Sequence, residues 1–493
     1  VNTLRARTTD GGSIEFSRTA LATGGEKVVF LSTDRRSVVG FYHGVLRDRA
    51  ERAERLQRIL TRYNPTSGPT GAYWRPYFVW PTAVVDGDPG IPVAFARDWH
   101  LTWPVLGVVT PVYREQFFFR DRYGQRQEKE VKWFTGRKAQ AFVPADERGT
   151  FLTKLQVVTR LARAVRRMHF AGLAHSDLSN KNVLIDPKGG DAAVIDIDSL
   201  VVPGVAPPTV LGTPGYIAPE VLAGRGSPSI ATDRHALAVL IHQLLLGRHP
   251  LQGKQVHSTR SAEEDERLAM GARALFTEHP LDKGNPPIDP IRVPYTRLGP
   301  FLAPLIEKAF VHGLHHPAKR PDAAEWEGAL YRTFELLHPS PGGREWMLAS
   351  PDLGAQCPWT GAEHRAPIPI ARYAREVNGR RVSEPRTLTL FHHLMLHDWH
   401  LRQGVTPDEH ADRTPRAYVA QHAGRWWLVN VSGAPLRTGD GGTVAHQTSI
   451  EIADGVSLRS AADDARWLTF SFLAPAAASA PTRRAPPPVL RHG

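Results

Sequence analysis

The stretch that most constrains this chain is His175-Ser176-Asp177-Leu178-Ser179-Asn180-Lys181-Asn182-Val183-Leu184-Ile185, followed by Val194-Ile195-Asp196-Ile197-Asp198. Two apolar runs, Val183–Ile185 and Ala193–Ile195, predict short buried strands. The turn between them, residues 186–191, is rich in Gly, Pro and Asp. Upstream, Leu152, Leu155, Val158, Leu161, Val165 and Met168 recur at three and four, which predicts a helix over Phe151–Ala171 that Gly172 ends. The chain thus delivers a carboxylate at 177, an amide at 182 and a carboxylate at 196 to the rims of buried elements. Asn182 and Asp196 offer oxygen ligands of the kind a hard cation takes. A plain polar turn between two strands uses the same residue types, so this fragment does not decide alone.

Other stretches narrow the choice. Gly212-Thr213-Pro214-Gly215-Tyr216-Ile217-Ala218-Pro219-Glu220 is followed by a nearly all-apolar helix, Asp233–Leu246, which implies burial on every side. Further helices are expected at Ser261–Phe276, Leu298–Phe310 and Asp322–Leu337, with Arg320 just before the last. The N-terminal part reads as strands: Ile14–Ala22, Lys27–Ser32 and Ser37–His43, with Thr23-Gly24-Gly25-Glu26 as the first turn. A helix over 45–63 follows, with Ala53, Leu56, Leu60 and Tyr63 on one face. Strands are expected at Tyr77–Val84 and Ile91–Arg97, and an aromatic, basic hairpin insertion at 104–149.

The ordered set H-x-D-L-x-x-x-N, D-x-D and G-T-x-x-Y-x-A-P-E resembles the protein kinases. That resemblance covers about residues 12–337 and implies an α+β, bilobal fold with a β-rich N-lobe (1–103) and a helical C-lobe (104–337). It implies ATP and Mg²⁺, with Asp177 as base for the attacking hydroxyl and Asn182 and Asp196 as metal ligands. Lys181 would contact the transferring phosphate, and Thr213 would bond Asp177, as in kinases of Ser/Thr type. His175, Glu220, Asp233 and Arg320 become structural residues, with Glu220 and Arg320 as an ion pair. Gly24 and Gly25 would let backbone amides approach phosphate.

The chain departs from the family in three places. Gly40, in Val38-Val39-Gly40-Phe41-Tyr42, stands where the phosphate-gripping lysine belongs. Lys27 stands in place of the last glycine of the loop, and it is the only lysine before Lys129. Loss from strand three and gain in the loop resembles the With-No-Lysine kinases, in which a relocated lysine reaches the same phosphates. Glu54, with Glu51 as runner-up, would pair with that lysine; both could instead pair with arginines of their own helix. Ser176 replaces the usual Arg before the base. Asp198 replaces a Gly, and either adds a metal ligand or caps the turn. Asp196-Ile197-Asp198-Ser199 is similar to bacterial kinases of the tellurite-resistance and von Willebrand-factor-A neighbourhoods. That likeness implies von Willebrand-factor-A and PP2C-phosphatase partners beside a protein substrate. Residues 97–103 would be the hinge between lobes.

Length and charge set the frame. At 493 residues more than one domain is expected. A 338–365 linker precedes a β-rich 366–473, and 474–493 reads as a disordered Ala/Pro-rich tail. In 366–473, the strands Ala417–Ala420, Trp426–Val431, Thr443–Ile452 and Trp467–Phe472 loosely resemble a forkhead-associated sandwich. The Ser-x-x-His and Asn-Gly of that family are missing, which points to a degenerate docking module. One cysteine, Cys357, excludes an internal disulfide and a Cys-rich zinc site. No signal peptide or apolar span is visible, so a cytoplasmic protein off the membrane is expected. The net charge of +12 comes mostly from Arg, without a Lys/Arg block or recognition helix, so no specific nucleic-acid partner is expected. The competing class is a pseudokinase scaffold, for which Gly40 speaks and Asp177, Asn182 and Asp196 speak against.

Overall fold

The computed structural model describes residues 2–208 and 212–475. The chain divides into two compact units, Val1–Tyr331 and Arg332–Gly493. Among the described residues no helix is long and apolar enough to cross a membrane.

The first unit begins with six antiparallel strands: β1 (Thr3–Arg7), β2 (Ser13–Thr23), β3 (Lys27–Ser32), β4 (Ser37–Tyr42), β5 (Ala83–Gly87) and β6 (Val105–Pro111). Their order is β1-β2-β3-β4-β6-β5. Period-two alternation sorts the strands by face. In β3, Val28, Phe30 and Ser32 are buried on one side while Lys27, Val29 and Leu31 take the other. Phe16, Phe30, Phe41 and Phe95 fill the first side, with Phe30 and Phe95 centroids 5.2 Å apart. Each buried ring stabilises the sheet by roughly 1.5–3 kcal/mol. Helix α1 (Arg49–Leu60) lies on the opposite face, where Leu56 meets Tyr42, Val84, Leu106 and Val108.

Two expectations fail here. Ile91–Arg97 is not a strand: Pro92 caps helix α3 (Val93–Asp98), where its fixed φ and missing N–H suit a helix start. A four-residue helix α2 (Gly71–Trp74) and a 3₁₀ turn (Arg75–Tyr77) lead up to the expected 77–84 strand, and the observed strand starts only at Ala83. Consequently β6 joins the sheet between β4 and β5, and the lobe boundary moves from 103 to the residues after Pro111. The hinge is therefore not Arg97–Trp103.

After a short hairpin, β7 (Phe118–Arg120) and β8 (Arg126–Glu128), and helix α4 (Arg137–Gln140), the unit becomes helical. Helix α5 (Phe151–Phe170) opens on a capping box at Thr150 and Thr153 and buries Leu155, Val158, Leu161, Val165 and Met168. The strands β9 (Val183–Asp186) and β10 (Asp191–Val194) pair antiparallel. Then come α6 (Pro219–Leu222), α7 (Ile230–Leu246), α8 (Ala262–Met270), α9 (Gly299–Glu307) and α10 (Ala323–Phe334). Helix α7 is buried along most of its length, as its composition implies. Buried Arg163 of α5 meets buried Glu327 of α10 at 2.7 Å, so neither charge is stranded.

The second unit is a β-sandwich. One sheet has the order β14-β13-β22-β21-β18-β19, the other β15-β16-β17-β20. The strands are β13 (Ile368–Val377), β14 (Arg380–Thr389), β15 (Met395–Leu396), β16 (Ala417–His422), β17 (Arg425–Asn430), β18 (Leu436–Thr438), β19 (Thr443–Val444), β20 (Ser449–Glu451), β21 (Ser457–Arg459) and β22 (Trp467–Leu473). A short helix α11 (Asp398–Leu401) follows β15. Facing rows, including Tyr373, Leu428, Leu468 and Phe470, form its core. The expected 338–365 linker is instead packed. Strands β11 (Leu337–Pro339) and β12 (Trp346–Leu348) pair, and Met347, Ala349 and the free thiol of Cys357 are buried with Ile368 and Ile370. Its apolar residues are few, but Met347, Leu348, Ala349, Ala355 and Cys357 are buried, which a Pro/Gly count overlooks. The expected disordered tail lies outside the described residues from 476 onward.

Candidate active site

The His175–Asn182 loop is tied down from three sides. The His175 N–H donates to Asp233 Oδ2 at 2.7 Å, and His175 Nε2 donates to the Ile195 carbonyl at 2.8 Å. Asn182 Nδ2 donates to the Asp177 backbone oxygen at 2.8 Å and to its Oδ2 at 2.9 Å. The other carboxylate oxygen, Oδ1, accepts the Thr213 backbone N–H at 2.6 Å. Thr213 thus meets Asp177 through its main-chain N–H. Ser176 and Asp196 sit at φ of 63° and 59°, in the left-handed region. Such conformations cost about 1–3 kcal/mol each for residues with a side chain, and persist where surrounding bonds hold them. For Ser176, one such bond runs from its hydroxyl to the Ser199 carbonyl at 2.8 Å. Lys181 is exposed on the same loop.

Lys27 reaches this loop from the sheet. Its Nζ lies 3.0 Å from Asp196 Oδ1 and 2.6 Å from Asp198 Oδ2. Gly40 lies on its path. It pairs with Val29 on the adjacent strand, and a Cβ built on it would sit 3.5 Å from Lys27 Cδ. That is ordinary van der Waals contact, so the Lys27 stem runs directly over Gly40 as it crosses β4. Asp198 also accepts the Tyr42 hydroxyl, and Tyr42 is the register partner of Lys27. Burial alone weakens the ammonium, but Asp198, then Asp196 and Tyr42, outweigh it and hold Lys27 well above its usual range. Burial likewise pushes the Asp198 carboxyl up, yet Lys27 and the Tyr42 hydroxyl hold it well below. In this structure Asp198 spends its carboxylate on the Lys27 ammonium and the Tyr42 hydroxyl.

The inward face of α1 brings a second surprise. Its buried polar residues are Arg52 and Arg55, not a glutamate. Arg52 Nη1 pairs with Glu26 Oε2 at 2.7 Å and lies over the Tyr42 ring, 4.8 Å from the centroid. Arg55 Nη2 donates to the Ala206 carbonyl at 2.8 Å, and Arg58 Nη1 to that of Pro203 at 2.8 Å. Glu54 is exposed and pairs with Arg58 one turn on, at 2.5 Å, and Glu51 is exposed too. The expected Lys27–Glu54 pair is absent because the helix turns that row to solvent.

The remaining expected residues fall around this centre. Gly24 and Gly25 form the β2–β3 turn, where the Gly24 N–H donates to the Lys27 carbonyl at 2.8 Å. Glu220 and Arg320 form a two-pronged ion pair, 2.8 and 2.7 Å, on a nearly fully buried guanidinium. Asp233 accepts His169 Nε2 at 3.1 Å besides the His175 amide. Tyr113, just after β6, packs against Phe117, Leu184, Ala193 and Ile195. Burial, then the acidic residues Glu128, Asp196 and Asp198, push its hydroxyl well above the usual phenol range. Sequence reasoning missed Tyr42, Arg52, Arg55 and Tyr113. Tyr42 alone carried a signal, lying two residues after Gly40 and so on the same strand face.

The donor set suits a hard cation and a polyphosphate. Asn182 spends its amide nitrogen on Asp177, which turns its Oδ1 the other way. With the Asp196 carboxylate this makes an all-oxygen pair beside a half-buried ammonium.

Residues 147–288 match the family model of the protein kinase domain. Similar stretches occur in the probable serine/threonine-protein kinase CCRP1 of Zea mays, 35% identical over 22% of this chain and 18% of that protein. They occur also in serine/threonine-protein kinase pkn3 of Myxococcus xanthus, 26% identical over 35% and 29%, and in PkaB of Streptomyces coelicolor, 33% identical over 20% and 26%. The chain spans under a third of each relative. The autoinhibited serine kinase domain of titin superposes with a TM-score of 0.41 at 13% identity, over 64% of this chain and 79% of that one. The protein kinase match lies in the helical part of the first unit, which has a mixed α+β fold of a curled sheet lobe and a helical lobe, and a β-rich part follows it.

Proposed function

We propose that this chain is a Ser/Thr protein kinase that moves the γ-phosphoryl group of ATP to a protein hydroxyl, with Lys27 doing the work of the missing strand-three lysine. The observation that carries the reading is the Lys27 ammonium, 3.0 Å from Asp196 and crossing Gly40 to get there. Phosphoryl transfer needs a cation near the phosphate oxygens, not a particular backbone address. Mg²⁺, held by Asn182 Oδ1 and Asp196, would neutralise phosphate charge. Asp177, its carboxylate fixed by Asn182 and Thr213, orients the substrate hydroxyl and takes its proton as the new O–P bond forms and ADP leaves. Lys181 faces solvent where it could meet the transferring group. The turn at Gly24 and Gly25 would cover the phosphates, and Tyr113 belongs to the hinge beside the adenine.

The segment ending in the Glu220–Arg320 pair supports a peptide substrate over a small molecule. The sandwich fits a forkhead-associated-like docking module, because its first strand β13 pairs with its last, β22. Partners of von Willebrand-factor-A and PP2C-phosphatase type follow only from the Asp196–Ser199 resemblance.

The test is transfer of radiolabel from γ-labelled ATP to a generic basic protein with Mg²⁺. Wild type transfers label, and Lys27→Ala and Asp177→Ala each lose about 10²-fold or more. Equal, null signals in all three, with nucleotide still bound, make the chain a pseudokinase scaffold.

A further inference from the structure

We infer that Asp198 is the positioning residue that anchors Lys27, in the place a helix carboxylate would fill, so that the lysine is held independently of α1. This deepens the kinase reading and rests on it.

A lysine aimed at phosphate must be kept from folding back or leaving the cleft. The helix cannot do this here. Its buried polar residues are cations, and Glu51 and Glu54 face solvent. Asp198 meets the requirement. It lies 2.6 Å from Nζ, and its side chain is 7% exposed against 42% for Asp196. The two aspartates are therefore not equivalent. Asp196 is open enough to turn its oxygens to a metal ion, while Asp198 keeps the ammonium. A second bond, from the Tyr42 hydroxyl, fixes the anchor itself to the strand opposite Lys27. A carboxylate held on two sides and out of water makes a strong, directional partner for a cation.

The helix keeps a link to the sheet with the charges exchanged. Arg52 of α1 pairs with Glu26, the residue before Lys27. Lys27 itself takes its carboxylate partners from the Asp196–Asp198 turn and none from α1.

The test uses the full chain and reads equilibrium binding of a fluorescent ATP analogue, with and without Mg²⁺, beside steady-state transfer. Asp198→Asn raises the dissociation constant and the KM for ATP about tenfold or more, with a smaller change in kcat. Tyr42→Phe, which removes only the hydroxyl, shifts the same two constants by less. In a Lys27→Ala background, Asp198→Asn adds no further loss, an outcome that a merely structural residue would not give. Glu54→Ala, the rival anchor, weakens binding less than Asp198→Asn. Wild-type binding in Asp198→Asn, additive losses with Lys27→Ala, or a larger loss in Glu54→Ala overturns the proposal. Binding is read without transfer, so a chain that binds ATP but moves no phosphate fails the kinase reading and still tests the anchor.

Discussion

The sheet lobe and the helical lobe build their halves of the site in different ways. In the helical lobe, Asn182 bonds Asp177 five residues away, and Asp177 takes the main-chain N–H of Thr213, 36 residues on. In the sheet lobe, Lys27 finds partners 169 and 171 residues away, and Tyr42 one 156 residues away. Local bonding holds residue types at fixed spacing. Long-range bonding fixes only where a charge arrives, so the residue that delivers it can change. Gly40 and Lys27 illustrate that freedom, as do the arginines on α1.

Breaking the helical lobe should cost most. Arg320→Ala strands the Glu220 carboxylate beside a buried gap, and the loss should be about 3–5 kcal/mol in urea unfolding. An unchanged midpoint would show that the pair is not a strut of this lobe.

Acid sharpens the contrast next. Burial lowers His249 from 6.5 to about 4, against the Gly215 carbonyl that its Nε2 bonds, and burial also depresses His235 and His242. The His249 ring stays neutral in the folded chain until about pH 4, while the unfolded chain takes up its proton below 6.5. Stability present above pH 6.5 is therefore lost as pH falls toward 4, by roughly 3 kcal/mol for His249 alone. The depressed Asp198 keeps its charge over that whole window. Thermal melts at pH 7 and pH 4.5 should show the drop, and His249→Phe should flatten it. A melt indifferent to pH would remove these histidines from the account.

The same contrast explains what the sequence made legible. The strands around residues 186–191 and helix α5 are local in origin, so periodicity recovered them, whereas the reading of Asp177, Asn182 and Asp196 came from the kinase resemblance. Lys27 stood out because no other lysine precedes Lys129. Its partner could not be read. Which face of α1 turns inward depends on packing against Tyr42 and Leu106, and the amphipathic stripe was ambiguous about its arginines. The hinge was misplaced because Val93–Asp98 is apolar enough for a strand, and Pro92 acts there as a helix start. The packed 338–365 segment was taken for a linker because its hairpin residues are separated by turn formers.

The central claim is that the phosphate cation is defined by where it arrives. It is tested most directly by moving it back. Lys27→Ala should lose ATP binding, and Lys27→Ala with Gly40→Lys should recover a large part of it, since residue 40 lies against the path the Lys27 stem leaves empty. Calorimetric ATP binding by wild type and both variants decides the matter. Recovery in the double variant is the result expected; full binding by Lys27→Ala alone would contradict it.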